Sequence, residues 1–263
     1  MKRYFILFLG SISDNHQKAE IRIAQEFPNL IHGFEFLPYY GENYDERVQE
    51  RLDHLYEIGV EPILMKGYNI HTEEYIRPII RYYKNKHPNE KFFLSHCAIF
   101  PGFILTDGAL LTKYTYENIE QIIKNAIELR NKTVLSYSKR IAMLNAGGDT
   151  NPNTAPEYWL EIYNKLPKET TDYSLEMSQL DVAIDNNIRY QKLGKETVLP
   201  TIIIPSCINE ANSIWKSLTV MAKQSLAGVV MGLPIKIGLT SRTDSEDSIY
   251  MTLKTLLTLK NTL

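Results

Sequence analysis

The amino-acid sequence predicts an α/β protein in which largely parallel sheet is covered by helices on both faces. Two observations carry the prediction. Short apolar runs alternate with amphipathic stretches from one end of the chain to the other, which is the rhythm of strand–helix–strand units. Runs such as Ile202-Ile203-Ile204 are apolar at every position, as strands buried on both faces must be. The sequence contains no internal repeat, low-complexity segment or long linker. Its 263 residues therefore read as one large domain or two lobes, long enough to bury a substantial core.

The elements follow in order. Tyr4 to Leu9 reads as a strand, Lys18 to Glu26 as a helix and Gly33 to Leu37 as a further strand. Tyr44 to Ile58 reads as a helix because Val48, Leu52 and Leu55 share one face and Gly59 supplies a C-cap. Pro62 to Met65 is a strand closed by Lys66-Gly67, and Glu73 to Tyr83 is a helix. Phe92 to Phe100 and Phe103 to Thr106 read as two strands broken by Pro101-Gly102. Tyr116 to Arg130 carries Ile119, Ile122, Ile123, Ala126 and Ile127 on one helical stripe. A strand over Arg140 to Asn145 then ends in Gly147-Gly148, and helices are predicted over Ala155 to Leu166 and Ser178 to Lys192. Pro200 to Pro205 is a strand, Ala211 to Ala222 a helix, and Leu226 to Met231 and Ile235 to Leu239 are strands. The last helix runs from about Asp244 to the end, since Ile249, Leu253, Leu256 and Leu257 keep helical spacing.

Composition narrows the function. With 44% hydrophobic and 23% charged residues the chain has the make-up of a soluble globular protein. A net charge of -2 argues against a dedicated nucleic-acid binder, which carries a basic stripe, and leaves room for a local basic pocket. Cys97 and Cys207 lie far apart in no metal-like spacing and read as buried thiols of a reducing cytoplasm. The apolar run Phe5 to Gly10 is too short for a signal peptide, and Ser11 to His16 follows it without a small-residue cleavage site. No stretch approaches the apolar length of a membrane span.

In parallel sheets ligands gather where strands end, so the loops after strands carry the functional argument. Gly238 to Ser245 (GLTSRTDS) leads from the last strand into the last helix. A helix N-terminus suits phosphate, Arg242 adds a planar fork, and Ser241 and Thr243 add hydroxyls. A capping box with Thr243 as N-cap and Glu246 three residues on accounts for part of this loop and leaves Ser241 and Arg242 unexplained. Asn209 and Asn212, at another strand-to-helix loop, read on pattern alone as structural caps. Asn145 to Pro152 places Gly147 and Gly148 after a strand, which fits either close backbone approach to a ligand or a tight turn. His96, inside an apolar strand, is either a base or a hydrogen-bonded core histidine. No GxGxxG, GxxxxGK, HExxH or GxSxG pattern occurs, and no residues present a metal-ligand spacing.

Taken in order, these loops resemble the phosphate acetyl/butyryl transferase family, the phosphotransacylases. Ile208 to Lys216 (INEANSIWK), Ala227 to Gly232 (AGVVMG) and Leu239 to Ser245 (LTSRTDS) carry the likeness, the last closer to the butyryl branch. Leu64 to Gly67, Leu94 to His96, Leu105 to Asp107, Ile122 to Ile127, Ala183 to Asn186 and Asn151-Pro152 extend it over roughly Pro62 to the end. The resemblance implies a two-lobed isocitrate/isopropylmalate-dehydrogenase-like fold with an interdomain cleft. Residues 1–96 plus 227–263 would form one lobe and 97–226 the other. It also implies a homodimer, and acyl transfer between coenzyme A and phosphate with an acyl phosphate as the other substrate. Coenzyme A would be a substrate, with no cofactor bound permanently and no metal. Arg242 would hold phosphate, Ser241 would hydrogen-bond the reacting group, and Asp244 is the nearest acidic group for the role of base. Lys66, Gly67, Ser95, His96, Asn145, Gly147, Gly148, Asn209, Asn212 and Thr243 would bind substrate.

Two other readings stand beside this one. The stretch Lys84 to Lys91 holds lysines where the family has arginines, which motivates a family member that binds acyl phosphate or coenzyme A as a sensor. A nicotinamide-dependent dehydrogenase on the same fold lacks the metal-binding aspartate cluster such enzymes use.

Overall fold

The computed structural model describes residues 3–40, 43–194 and 198–259. The chain runs β1 (Tyr4–Leu9), α1 (Asp14–Glu26), β2 (Ile31–Leu37), α2 (Tyr44–Glu57), β3 (Glu61–Lys66) and α3 (Thr72–Lys86). It continues through β4 (Ser95–Phe100), β5 (Phe103–Thr106), α4 (Tyr116–Asn131), β6 (Arg140–Leu144), α5 (Glu157–Lys165) and β7 (Ser174–Ser178). The remainder is α6 (Leu180–Ile184), α7 (Asn186–Leu193), β8 (Ile202–Ile204), α8 (Ile208–Lys216), β9 (Ala227–Met231), β10 (Lys236–Gly238) and α9 (Glu246–Thr258). The chain divides into two compact units, Met1–Phe93 with Ser225–Leu263, and Leu94–Gln224.

The first unit has strand order β2-β1-β3-β10-β9. All pairs are parallel except β10 with β9. Register sets Leu9 beside Lys66 and Met65 beside Gly238, so β1, β3 and β10 end at one edge of the sheet. Alternate side chains of β1 point to opposite faces. Phe8 meets His16 of α1 edge-on, whereas Phe5 lies under the guanidinium of Arg51 on α2. Helices therefore cover both faces, and Ile6, Leu7, Ile63 and Leu64 between them are fully buried. Gly59, at φ +72°, turns the chain out of α2 as the sequence predicts. Gly238 admits α9 against the sheet, because a Cβ there would lie 2.2 Å from the Met65 sulfur and 2.8 Å from Thr252.

The second unit has strand order β4-β5-β8-β6-β7, parallel except for the β4–β5 hairpin. Trp159 on α5 is fully buried and its indole N–H donates to the Leu144 carbonyl at 2.9 Å. Arg189 on α7, 1% exposed, makes a two-pronged ion pair with Glu176 of β7 at 2.7 and 2.8 Å, and Arg140 adds a third contact at 3.2 Å.

Several boundaries differ from the sequence reading. β7 is a strand that the sequence analysis does not anticipate, and its last residue, Ser178, opens the region predicted as one helix to Lys192. That helix is two, α6 and α7, because the Asp185 carboxylate caps the second by accepting the N–H groups of Asn187 and Ile188. β4 begins at Ser95 and not at Phe92, and α1 begins at Asp14 after its N-cap Ser13. α8 spans Ile208–Lys216 and passes into a π-helical turn over Ser217–Met221. The last helix ends at Thr258; of the stretch predicted to continue it, residues 260–263 lie outside the described residues.

Candidate functional site

Within the first unit the predicted residues collect at the carboxyl edge. Lys66 ends β3, and its backbone carbonyl accepts the Thr240 hydroxyl from the loop after β10 at 3.0 Å. The Lys66 side chain is buried, with Nζ donating to the Gly67 carbonyl at 3.3 Å. Gly67 is required by packing: its N–H donates to the Leu9 carbonyl at 2.8 Å, and a Cβ would lie 2.6 Å from the Ser11 carbonyl oxygen.

The segment after β10 departs from the predicted cap. The N-cap of α9 is Ser245, whose hydroxyl accepts the Ser248 N–H, and not Thr243. The first turn of α9 carries Glu246 and Asp247, and Asp247 pairs with Arg22 at 2.7 Å, so this helix terminus is already occupied by acidic groups. Ser241 to Asp244 form a separate turn, in which Asp244 N–H donates to the Ser241 carbonyl and Ser241 N–H donates to the Asp244 carboxylate at 2.8 Å. Asp244 is buried and shapes the turn from within. Ser241 and Thr243 hydroxyls lie 3.1 Å apart. Arg242 at the tip is exposed, and its guanidinium has no hydrogen-bond or ion-pair partner among the described residues. An unengaged arginine at the end of a fixed turn is suited to an anionic ligand.

Sequence reasoning passed over the start of α1. Asn15 donates to the Asp244 carbonyl at 3.3 Å, tying this helix to the turn. His16 is 2% exposed, its Nδ1 lies 2.8 Å from the Ser13 hydroxyl, and its pKa is lowered to about 4, chiefly by burial. Only a polar residue one turn into a helix marks it in the sequence.

In the second unit, Ser95 and His96 open β4 beside the carboxyl end of β5, where Cys97 pairs with Thr106. Ser95 and Cys97 share one face of the strand, and Asn125 on α4 donates to the Ser95 hydroxyl at 2.9 Å. The Cys97 thiol is pushed up to about 12, first by burial. Asp107 is fully buried after β5; its carboxylate accepts the N–H groups of His96, Ala109 and Leu110, each at 2.8 Å. Burial raises its pKa against the pull of those donors. The His96 ring stacks on Trp215 of α8 at 4.6 Å between centroids, and neither ring nitrogen has a hydrogen-bond partner among the described residues. A hydrogen-bonded core histidine is thus not what the structure contains. Burial lowers the His96 pKa to about 3, so the ring is a neutral group and not a base that titrates near neutrality.

The remaining predicted residues divide by role. Asn145 is buried after β6, accepts the Thr154 hydroxyl at 2.7 Å and donates toward the carbonyls of Gly148, Asn151 and Pro152 at 3.3 to 3.5 Å, so its amide is committed to the loop. Gly147 is demanded by that loop, since a Cβ would lie 2.1 Å from the Asn151 carbonyl oxygen, and Gly148 has φ +57°. The two asparagines of α8 are not caps: the N-cap is Cys207, a half-buried residue. Asn209 is exposed on the first turn, and Asn212 donates to the Gly108 carbonyl at 3.2 Å. Asp107, Asn125 and Trp215 were not singled out by sequence reasoning, although each lies inside a stretch that carries the family resemblance (Leu105 to Asp107, Ile122 to Ile127 and Ile208 to Lys216); each acts through a partner distant in the chain.

Among the described residues no three His, Cys, Asp or Glu side chains gather as a metal site, and no helix is long and apolar enough to cross a membrane. What the geometry offers is an exposed arginine fork with hydroxyls in one unit and buried polar side chains in the other.

No protein-family model matches the chain. Its sequence is 27% identical over 202 residues to the probable phosphate butyryltransferase of Bacillus subtilis, covering 72% of this chain and 66% of that protein. Phosphate acetyltransferases of Rickettsia also match, and the chain spans 55 to 66% of the length of these curated relatives. Its backbone is similar to a branched-chain phosphotransacylase from Enterococcus faecalis, with a TM-score of 0.72 at 19% identity over 97% of this chain and 98% of the other. An isocitrate dehydrogenase from Methylococcus capsulatus is similar at a TM-score of 0.50 and 12% identity, over 96% of this chain and 83% of the other. At such identities the structural likeness establishes the fold, the predicted isocitrate-dehydrogenase-like α/β class. The sequence likeness is to phosphate butyryl- and acetyltransferases, as the loop motifs imply.

Proposed function

We propose that this chain is a phosphate acyltransferase that moves a short acyl group between coenzyme A and inorganic phosphate. The observation that carries the reading is the Ser241–Asp244 turn, which holds two hydroxyls and an exposed arginine with no partner among the described residues, at the carboxyl edge of a parallel sheet. Relatives named for butyryl and acetyl transfer to phosphate support it.

In the direction of thioester formation, the coenzyme A thiolate attacks the carbonyl carbon of an acyl phosphate. A carbon–sulfur bond forms, the carbon–oxygen bond to phosphate breaks, and phosphate leaves with the electron pair. Arg242 takes two phosphate oxygens in its fork, and the Ser241 hydroxyl donates to the transferring group as charge develops. Asp244, beside them, is the acceptor for the thiol proton. Thr243 and Lys66 add a hydroxyl and a positive charge to the same edge. In the second unit Ser95, His96, Asn209 and Asn212 contact the organic substrate, while Asn145, Gly147 and Gly148 keep the loop after β6 in shape. Gly67 does the same for the loop after β3. Positioning two substrates supplies much of the rate, so coenzyme A enters as a substrate and no resident cofactor or metal is needed. A homodimer in the cytoplasm completes the reading.

The test is phosphate-dependent release of free coenzyme A from acetyl-, butyryl- and isobutyryl-CoA by the purified chain. Turnover is expected, with the best substrate ranking the acyl pocket. Absence of turnover together with a melting temperature raised by coenzyme A would replace the enzyme by a sensor.

A further inference from the structure

Three ring atoms of one stacked pair, His96 Nδ1, His96 Nε2 and Trp215 Nε1, are buried with no hydrogen-bond partner among the described residues. Stacking at 4.6 Å accounts for the faces of these rings and not for their edges. A buried donor or acceptor left unmade costs about 1–3 kcal/mol, and most buried polar atoms in native proteins are satisfied. The chain's other indole shows the usual arrangement, since Trp159 donates to the Leu144 carbonyl.

The pair is held and not loosely placed. His96 is anchored through its backbone N–H to the Asp107 carboxylate at 2.8 Å. Asn212, on α8 one turn before Trp215, anchors that helix to the Gly108 carbonyl in the same loop. One residue beyond Trp215 the helix passes into the π-helical turn over Ser217–Met221, and the Thr219 hydroxyl there donates to the Trp215 carbonyl at 3.0 Å. Insertions of π-helix recur at functional sites because they change the aim of the side chains beside them.

The donor set selects a ligand. A neutral imidazole offers one N–H and one acceptor nitrogen, and the indole offers a second N–H. Two uncharged donors match the two lone pairs of a carbonyl oxygen, whereas phosphate recruits charged donors such as Arg242. We propose that His96 and Trp215 donate hydrogen bonds to the carbonyl oxygen of the transferred acyl group. The inference rests on the acyl-transfer reading and adds the group that steadies the reacting carbonyl. As sulfur attacks, negative charge builds on that oxygen and is held by the two N–H groups. The charge returns to a carbonyl as the bond to phosphate breaks, and neither ring gains or loses a proton.

The chain contains two tryptophans, so each indole N–H gives one signal in the ¹H–¹⁵N spectrum of the uniformly labelled protein, assigned with Trp215→Phe. Saturating butyryl-CoA is expected to move the Trp215 indole proton downfield and leave that of Trp159 in place. Free coenzyme A and inorganic phosphate, which lack the acyl carbonyl, should not produce this shift. Trp215→Phe keeps an aromatic ring on His96 but removes the donor, and should lower kcat about 100-fold, the cost of an oriented donor to a developing oxyanion. Butyryl-CoA shifts in the backbone amides of residues 240–244 with a stationary Trp215 signal would overturn this inference alone. A Trp215 shift of equal size with free coenzyme A would do the same. No shift anywhere, with no turnover, would overturn the acyl-transfer reading along with it.

Discussion

Replacing Arg242 by alanine separates binding from folding. The side chain is exposed and has no hydrogen-bond or ion-pair partner among the described residues, so its loss should change stability by no more than about 0.5 kcal/mol. The turn itself survives, because Asp244 and not Arg242 binds its backbone. A bidentate arginine–phosphate contact comprises two charge-assisted hydrogen bonds, each worth about 1.5–3 kcal/mol. Taking a total of about 3–4 kcal/mol at a solvated rim, Arg242→Ala should lower kcat/KM about 10²- to 10³-fold. Arg242→Lys keeps the charge and loses the fork, so roughly a tenfold loss should remain. Initial rates of thiol release at varied phosphate, read beside melting curves of all three proteins, measure both quantities. Full activity in Arg242→Ala would refute the phosphate contact. A parallel collapse of the melting temperature would refute the claim that the residue is free of structural duty.

Other substitutions probe the frame. Arg189→Leu leaves Glu176 with the partly exposed Arg140 alone and should destabilise the protein by about 3 kcal/mol in urea titration; adding Glu176→Leu should recover most of that loss. Gly67→Ala forces a Cβ to within 2.6 Å of a backbone oxygen, so overpacking of about 1–3 kcal/mol is expected, with reduced activity because Lys66 shifts too. His16 and His96 are buried with pKa values lowered to about 4 and about 3, against 6.5 unfolded. The unfolded chain therefore binds protons first as pH falls, and the folded state loses stability from pH 6.5 downward. Each residue contributes a slope that rises from about 0.7 kcal/mol per pH unit at pH 6.5 towards a limit of about 1.4 near pH 5; urea midpoints of wild type and His16→Asn across that window should show the variant with the shallower slope.

Much of the frame was legible because its signals are local. Fully apolar runs such as Ile202–Ile204 reappear as buried strand, and the stripe on α4 as a buried helix face except for the half-buried Ile127. β7 was not legible. It is an edge strand of five residues whose Leu175 and Met177 face inward while Glu176 carries a charge, and that charge makes sense only beside Arg189 and Arg140. The Ser241–Arg242 loop was found by its composition, yet Thr243 was taken for a cap because Thr-x-x-Glu fits a capping box as well as Ser245 with Ser248 fits the observed one. Gly67 and Gly147 stand among the substrate-binding residues that the family resemblance implies, and packing also demands each: a Cβ at Gly67 would meet the Ser11 carbonyl oxygen of another segment, a contact that no local pattern encodes, and one at Gly147 would meet the Asn151 carbonyl oxygen of its own loop. His96 and Trp215 illustrate the same limit, since a strand and a helix far apart in sequence bring them together.

The account stands most directly on one stoichiometry. Purified chain incubated with butyryl-CoA and ³²P-labelled phosphate should yield labelled butyryl phosphate and free coenzyme A in equal amounts, with neither formed when phosphate is omitted. Thiol released without phosphate and without labelled acyl phosphate would make the chain a thioesterase and contradict the account.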